Sequence, residues 1–182
     1  MLRLFFALQP TREQGVALAE AASPLAAQLG GQPVSAENLH VTLCFVGAVA
    51  EDKLEALQDA ARGVHGRAVR LRLDSLDYWT KPKILCAVTS AAASLAQELS
   101  AQLADALTAA GFAPDAKPFR AHLTLARKVD STSAAACEWP HLLASPVSMH
   151  CERFALMRSE KGESGSVYSA VAEWPLDADN SR

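Results

Sequence analysis

No stretch of this 182-residue chain approaches the roughly 18 unbroken apolar residues that a membrane-spanning helix requires, which excludes such a helix. The apolar opening Met1–Leu8 is interrupted by Gln9, Pro10, Thr11 and Arg12, too soon for a signal peptide. The expected setting is therefore cytoplasmic. Charge of one sign is also lacking: 17 Lys and Arg face 20 Asp and Glu, for a net charge of -3. A protein that coats nucleic acid by bulk charge needs a basic surface, so any polyanion must be met here by a local patch. The four cysteines (Cys44, Cys86, Cys137 and Cys151) form no C-x-x-C pair and no zinc spacing. In a reducing compartment they read as free, mostly buried thiols. No phosphate-binding P-loop is present, since Gly162-Glu163-Ser164-Gly165 lacks both the spacing and the Lys-Ser/Thr ending. What the chain does have is apolar mass. Half of its residues are hydrophobic and 36 are alanine, which excludes intrinsic disorder over most of its length and favours helices.

The sequence also repeats itself. Asn38-Leu39-His40-Val41-Thr42-Leu43 has a partner in Arg120-Ala121-His122-Leu123-Thr124-Leu125, with the histidines 82 positions apart. With five His, seven Thr and 24 Leu in the chain, about 0.025 matches to H-x-T-L are expected by chance. Two occur, inside a wider frame. Arg3–Leu8 resembles Lys83–Val88 at a shift of 80, and Val69–Trp79 resembles Val147–Met157 at a shift of 78.

Periodicity predicts strands at Leu2–Leu8, Leu39–Val46, Val69–Tyr78, Ile84–Val88, His122–Ala126, Val147–Met157 and Val167–Trp174. Helices are predicted at Thr11–Leu29, with a break at Ser23-Pro24, at Glu51–Val64, and at Leu95–Ala110, which Gly111 ends. Val129–Ser145 reads as a surface loop or short helix, Gly162–Gly165 as a hairpin beside the cleft, and Asp177–Arg182 as a tail. The elements lack the steady rhythm of a parallel sheet. The expected class is α+β: one domain over residues 1–182, made of two pseudo-symmetric lobes, each an antiparallel sheet with outer helices, flanking a cleft. The lobe boundary is expected near residues 80–90, with strand exchange between lobes allowed.

In a strand, His40 and Thr42 share one face and Leu39, Val41, Leu43 and Phe45 the other. His122 and Thr124 stand likewise against Leu123 and Leu125. If the lobes meet about a pseudo-twofold axis, two imidazoles and two hydroxyls converge on one small site. That set suits phosphodiester chemistry. A neutral histidine can take a proton from an attacking oxygen while a protonated one supplies the leaving oxygen. The threonine hydroxyls can donate to the non-bridging phosphate oxygens, where charge develops. No metal or other cofactor is needed for such a step. A two-histidine metal site fits less well, because no carboxylate or third histidine recurs in register. His65, His141 and His150 have no repeat partner and read as structural.

With these residues in hand, the sequence resembles the two-histidine phosphoesterases, specifically the bacterial RNA 2′,3′-cyclic phosphodiesterase family, also called the 2′-5′ RNA ligase family. RLFFALQP, ENLHVTLCFVG, PFRAHLTLAR and FALMRSEKGESGSVYSAVAEWPL carry the resemblance along nearly the whole chain. It implies hydrolysis of RNA 2′,3′-cyclic phosphate ends to 2′-phosphates, with His40 and His122 as the catalytic pair and Thr42 and Thr124 binding phosphate. Of the two histidines, His40 is assigned the acid and His122 the base. The resemblance also implies a phosphate contact from Arg127, which strict alternation would turn away from His122, so a β-bulge or strand end is required there. Lys117, Arg120, Lys128, Arg158 and Lys161 would add to a patch for RNA phosphates. Cys44 departs from the larger polar residue frequent in relatives and is expected on the cleft face beside Thr42. The implied partners are RNA 3′ ends or small cyclic nucleotides, with no membrane, no obligate protein partner and a monomeric state. Two other functions use the same residues: ATP-independent 2′-5′ ligation, which reverses the reaction, and non-catalytic binding of RNA ends.

Overall fold

The computed structural model describes residues 1–162 and 165–178. The tip of the expected hairpin, residues 163–164, and the tail from residue 179 lie outside the described residues. The strands are β1 (Leu2–Leu8), β2 (Gln32–Pro33), β3 (Val41–Val49), β4 (Val69–Trp79), β5 (Ile84–Val88), β6 (His122–Arg127), β7 (His141–Cys151), β8 (Arg153–Lys161) and β9 (Ser166–Pro175). They form two sheets, in the orders β3-β1-β8-β9 and β2-β6-β5-β4-β7, with antiparallel neighbours throughout. The first H-x-T copy lies in the four-stranded sheet and the second in the five-stranded sheet.

Four α-helices complete the fold: α1 (Arg12–Gln28), α2 (Leu54–Arg62), α3 (Ser94–Ala109) and the short α4 (Ser131–Ala135). Thr11 starts α1 with a capping box: its hydroxyl accepts from Gln14 N, and the Gln14 side chain accepts from Thr11 N. The Gln14 amide then donates to Ser148 O on β7 at 2.8 Å. Thus α1 leaves the four-stranded sheet with β1 yet packs on β2, β6 and β7 of the other. The reverse holds for α3, which follows β5 in the five-stranded sheet and packs on β3, with α2 beside it. Its buried stripe is Ala96, Leu99, Leu103 and Leu107. Each half sends its helix across, and both sheets and the three long helices feed one hydrophobic cluster.

Several elements differ from the expected ones. Helix α1 runs unbroken through Pro24, whose side is exposed, so the helix loses one hydrogen bond on its solvent face without breaking the buried stripe Leu18, Ala22 and Ala26. The segment Val147–Met157, expected as a single strand, is two: β7 ends at Cys151 in one sheet and β8 begins at Arg153 in the other. Apolar alternation continues across Glu152, so the change of sheet leaves no mark in the pattern. Strand β7 itself begins at His141, inside the segment expected to be irregular. The repeat of the first strand is offset by 79 rather than 80. Phe5 pairs with Phe45 and Ala7 with Thr42, and the matching positions Ile84 and Cys86 pair with Arg127 and Thr124. A one-residue slip exchanges the two faces of a strand, so the smaller offset decides which side chains meet the cleft.

Strand β5 is the central strand of its sheet and Leu85 is fully buried in it. Replacing Leu85 with Ala is expected to cost about 2–5 kcal/mol. Urea unfolding should show this as a lower midpoint with an unchanged m-value.

Candidate active site

His40 lies just before β3 and His122 opens β6. Each ring is held in the same way. His40 Nδ1 lies 2.7 Å from Asn38 O, and His122 Nδ1 lies 2.7 Å from Arg120 O. A carbonyl only accepts, so Nδ1 carries the proton in both rings and Nε2 is the atom left to gain or lose one. The two contacts are the same i−2 interaction, repeated once per motif.

Each motif strand also contains an extra residue. Along β3 the pairing with β1 jumps from Thr42↔Ala7 to Cys44↔Phe6, leaving Leu43 as a bulge. Along β6 the pairing with β5 jumps from Thr124↔Cys86 to Ala126↔Leu85, leaving Leu125 as a bulge. Thr124 and Arg127 therefore come to one side of β6, while Leu123, Leu125 and Ala126 enter the core. This is the bulge that a cleft-facing Arg127 required. The same irregularity in β3 corrects the expectation for Cys44 and Phe45. Cys44 pairs with core residue Phe6 and is buried at 5% exposure, whereas Phe45 pairs with Phe5 and joins the cleft-side cluster of Phe5, Ala7, Ala155 and Met157. Burial, with Asp115 nearby, pushes the Cys44 thiol up to about 11, so it is an inert packing group.

The two motif copies meet. Thr42 and His122 line one groove, and His122 and Arg127 both oppose a proton on His40 electrostatically. His40 packs against Phe5 and Tyr168, each with ring centroids 4.8 Å away. His122 packs against Trp79 at 4.3 Å. Burial is the largest cause of the shift at both histidines and lowers both below the ordinary 6.5, to about 4 for His40. His65, His141 and His150 are exposed.

The family model described as the 2′-5′ RNA ligase superfamily matches residues 12–163. The chain belongs to the 2′-5′ RNA ligase superfamily. It is 32% identical over 190 residues to an RNA 2′,3′-cyclic phosphodiesterase of Thermus thermophilus, covering 100% of this chain and 93% of the relative. With the Escherichia coli RNA 2′,3′-cyclic phosphodiesterase the identity is 28% over 177 residues, covering 96% of each. The crystal structure of Escherichia coli LigT complexed with 3′-AMP superposes with a TM-score of 0.81 at 26% identity, covering 96% of this chain and 98% of that one. LigT has also been crystallised with NADP+ and with ATP.

Beyond the paired superfamily motif, four side chains of this site were not singled out in the sequence. Tyr168 on β9 joins the sheets: its hydroxyl oxygen accepts from Arg127 Nη2 at 3.1 Å, while its ring edges against His40. Asn38 holds Tyr168 in turn, accepting from Tyr168 N at 3.1 Å and donating to Ser166 O at 3.2 Å. On the other side, the Trp79 indole donates to Asp77 Oδ2 at 3.0 Å, and the Arg120 guanidinium lies 4.4 Å from the Trp79 ring centroid. A signal was available for Trp79, which occupies the place of Met157 in the 78-residue repeat. Of the expected basic patch, Lys117 is paired with Asp115 and Arg158 with Glu160, each at 2.8 Å. Arg120 and Arg127 are the cations that touch the site's own aromatic rings and histidines.

Ring-nitrogen NMR of the free protein at pH 7 should show both histidines neutral with the proton on Nδ1. On acidification His40 should titrate near 4, and His122 at a higher value that is still below 6.5. A His40 ring protonated on Nε2, or titrating at 6.5 or above, would contradict this geometry.

Proposed function

We propose that this chain is an RNA 2′,3′-cyclic phosphodiesterase, acting as one unit of two duplicated lobes on the 3′ ends of RNA or on small cyclic nucleotides in the cytoplasm, as a monomer. The observation that carries the reading is the matched pair of carbonyl-oriented histidines, each two residues before a threonine, with Arg127 between them. In this reading the cyclic phosphate sits between His40 and His122. The Thr42 and Thr124 hydroxyls and the Arg127 guanidinium donate to its non-bridging oxygens, where charge grows as the phosphorus becomes five-coordinate. One Nε2 takes a proton from water as its oxygen bonds to phosphorus. The other Nε2 gives its proton to O3′ as the P–O3′ bond breaks. The products are a 2′-phosphate and a free 3′-hydroxyl.

The deeper burial of His40 favours it as the base and His122 as the acid, the reverse of the expectation from sequence. A histidine lowered to about 4 is neutral at working pH and can only accept. His122, lowered less, holds a proton more readily. The pH dependence follows in sign. Below about 4 the base is protonated and activity falls; as pH rises through the His122 value the acid is lost and activity falls again. The kcat/KM profile should therefore peak between about 4 and 6.5. A bound phosphodiester anion stabilises both imidazolium forms, so the kcat profile should lie at higher pH. An optimum of kcat/KM above 7 would sink this assignment.

The decisive assay is turnover of an oligoribonucleotide ending in a 2′,3′-cyclic phosphate, with EDTA present. The expected product is the 2′-phosphate, with His40→Ala and His122→Ala each lower by at least about 100-fold. Binding of that RNA without turnover would replace the hydrolase with a binding module. The superfamily description also names ligation, in which a 5′-hydroxyl takes the place of water. Adding an RNA with a 5′-hydroxyl to the same assay separates the two by product.

A further inference from the structure

A groove of about 600 Å³ runs from Thr42 and His122 along α3 to residues 115–120. Its walls are chiefly apolar: Phe45 from β3, Ala101 and Ala104 from α3, and Phe119 from the connection, with Trp79 at the end beside His122. Phosphate has no use for such a surface. The volume falls within the roughly 300–1,000 Å³ of small-molecule sites, which combine apolar walls with few polar groups. The polar side chains here are largely engaged elsewhere. Ser100 Oγ donates to Leu43 O, and the Asp115 carboxylate accepts from Lys117 Nζ at 2.8 Å. Gln97 is the remaining side-chain amide on the wall.

We propose that this groove holds the nucleobase of the nucleotide carrying the cyclic phosphate, recognised by stacking and burial rather than by hydrogen bonds to its edges. The inference rests on the cyclic phosphodiesterase reading. In a 2′,3′-cyclic phosphate the phosphate ring is fused to the ribose, so the base projects from the same rigid unit that the histidines flank. The groove opens where that unit must lie, between Thr42 and His122. Every nucleobase offers a π-face to Phe45, Phe119 and Trp79, and few groups are left to read its edge, so purines and pyrimidines are both accepted. Arg120, over the Trp79 ring at the mouth, adds a cation facing an anionic chain.

The test compares kcat/KM for 2′,3′-cyclic AMP with that for 1-O-methylribose 2′,3′-cyclic phosphate, which has the same ring phosphate and no base. Wild type should prefer the nucleotide by about 10-fold or more, the scale of one stacked base. In Phe119→Ala, which removes a wall from a half-exposed connection, and in Ala104→Phe, which fills the groove, that ratio should fall towards one. Thermal melts establish that each variant is folded, and Phe119→Ala carries the test alone if Ala104→Phe does not fold. A wild-type ratio near one, or a ratio unchanged in Phe119→Ala, overturns the groove while leaving the phosphodiesterase standing. Turnover of neither compound by wild type removes both readings.

Discussion

One extra residue in each motif strand, Leu43 in β3 and Leu125 in β6, decides which side chains this cleft contains. A regular strand alternates faces with period two, so a histidine and a side chain five positions later point in opposite directions. The bulge restores the phase. It brings Arg127 to the side of Thr124 and Phe45 to the side of Thr42, and it sends two consecutive residues of each strand into the core. Without it the core would have to take a guanidinium, and a buried unpaired charge is strongly destabilising. The bulge thus satisfies the hydrophobic core and the polar cleft together.

The two cleft walls are kept in place by the exchange of helices. Helix α1 packs on the sheet opposite to its own strand β1, and α3 does the same in the other direction, so one continuous cluster lies beneath both motif strands. Separating the walls would expose Leu18 and Leu103 along with the strand residues they cover, and each such side chain is worth about 1.5–3 kcal/mol of burial. Tyr168 adds a polar tie across the top, linking β9 of one sheet to Arg127 of the other. A site built on two sheets thereby acquires the rigidity of one built on a single element, as proton transfer over a hydrogen-bond distance demands.

The paired H-x-T-L, the antiparallel sheets, the three long helices and the need for a bulge before Arg127 were all legible in the sequence. Each is written in local periodicity or in the repeat itself. The change of sheet at Glu152 was not, because apolar alternation looks alike on either sheet. Cys44 and Phe45 were assigned to the wrong faces for a related reason: the bulge foreseen at Arg127, where a charge made alternation costly, also occurs in β3, where the apolar Phe45 gave no such warning. Asn38 and Arg120 orient the histidines through backbone carbonyls, which every residue possesses, so no side-chain signal existed to be read. Tyr168 acts across more than 120 residues of chain, a pairing that only the folded sheet reveals.

The symmetry of the frame is broken at the positions that touch the histidines. Phe45 stands where the second copy has Arg127, Met157 where the first half has Trp79, and Ala155 where it has Asp77. One wall of the cleft is thus apolar, with His40 among Phe5 and Tyr168. The other is polar and aromatic, with His122 on Trp79 and Arg120 and Arg127 nearby. Acid–base catalysis by two chemically identical groups needs them to differ in protonation at one pH, and a symmetric site would give them equal proton affinities. Duplication supplied the shared geometry, two Nδ1–H groups anchored and two Nε2 atoms presented. Divergence of the flanking residues then separated the environments, so that one imidazole stays neutral while its counterpart can still carry a proton.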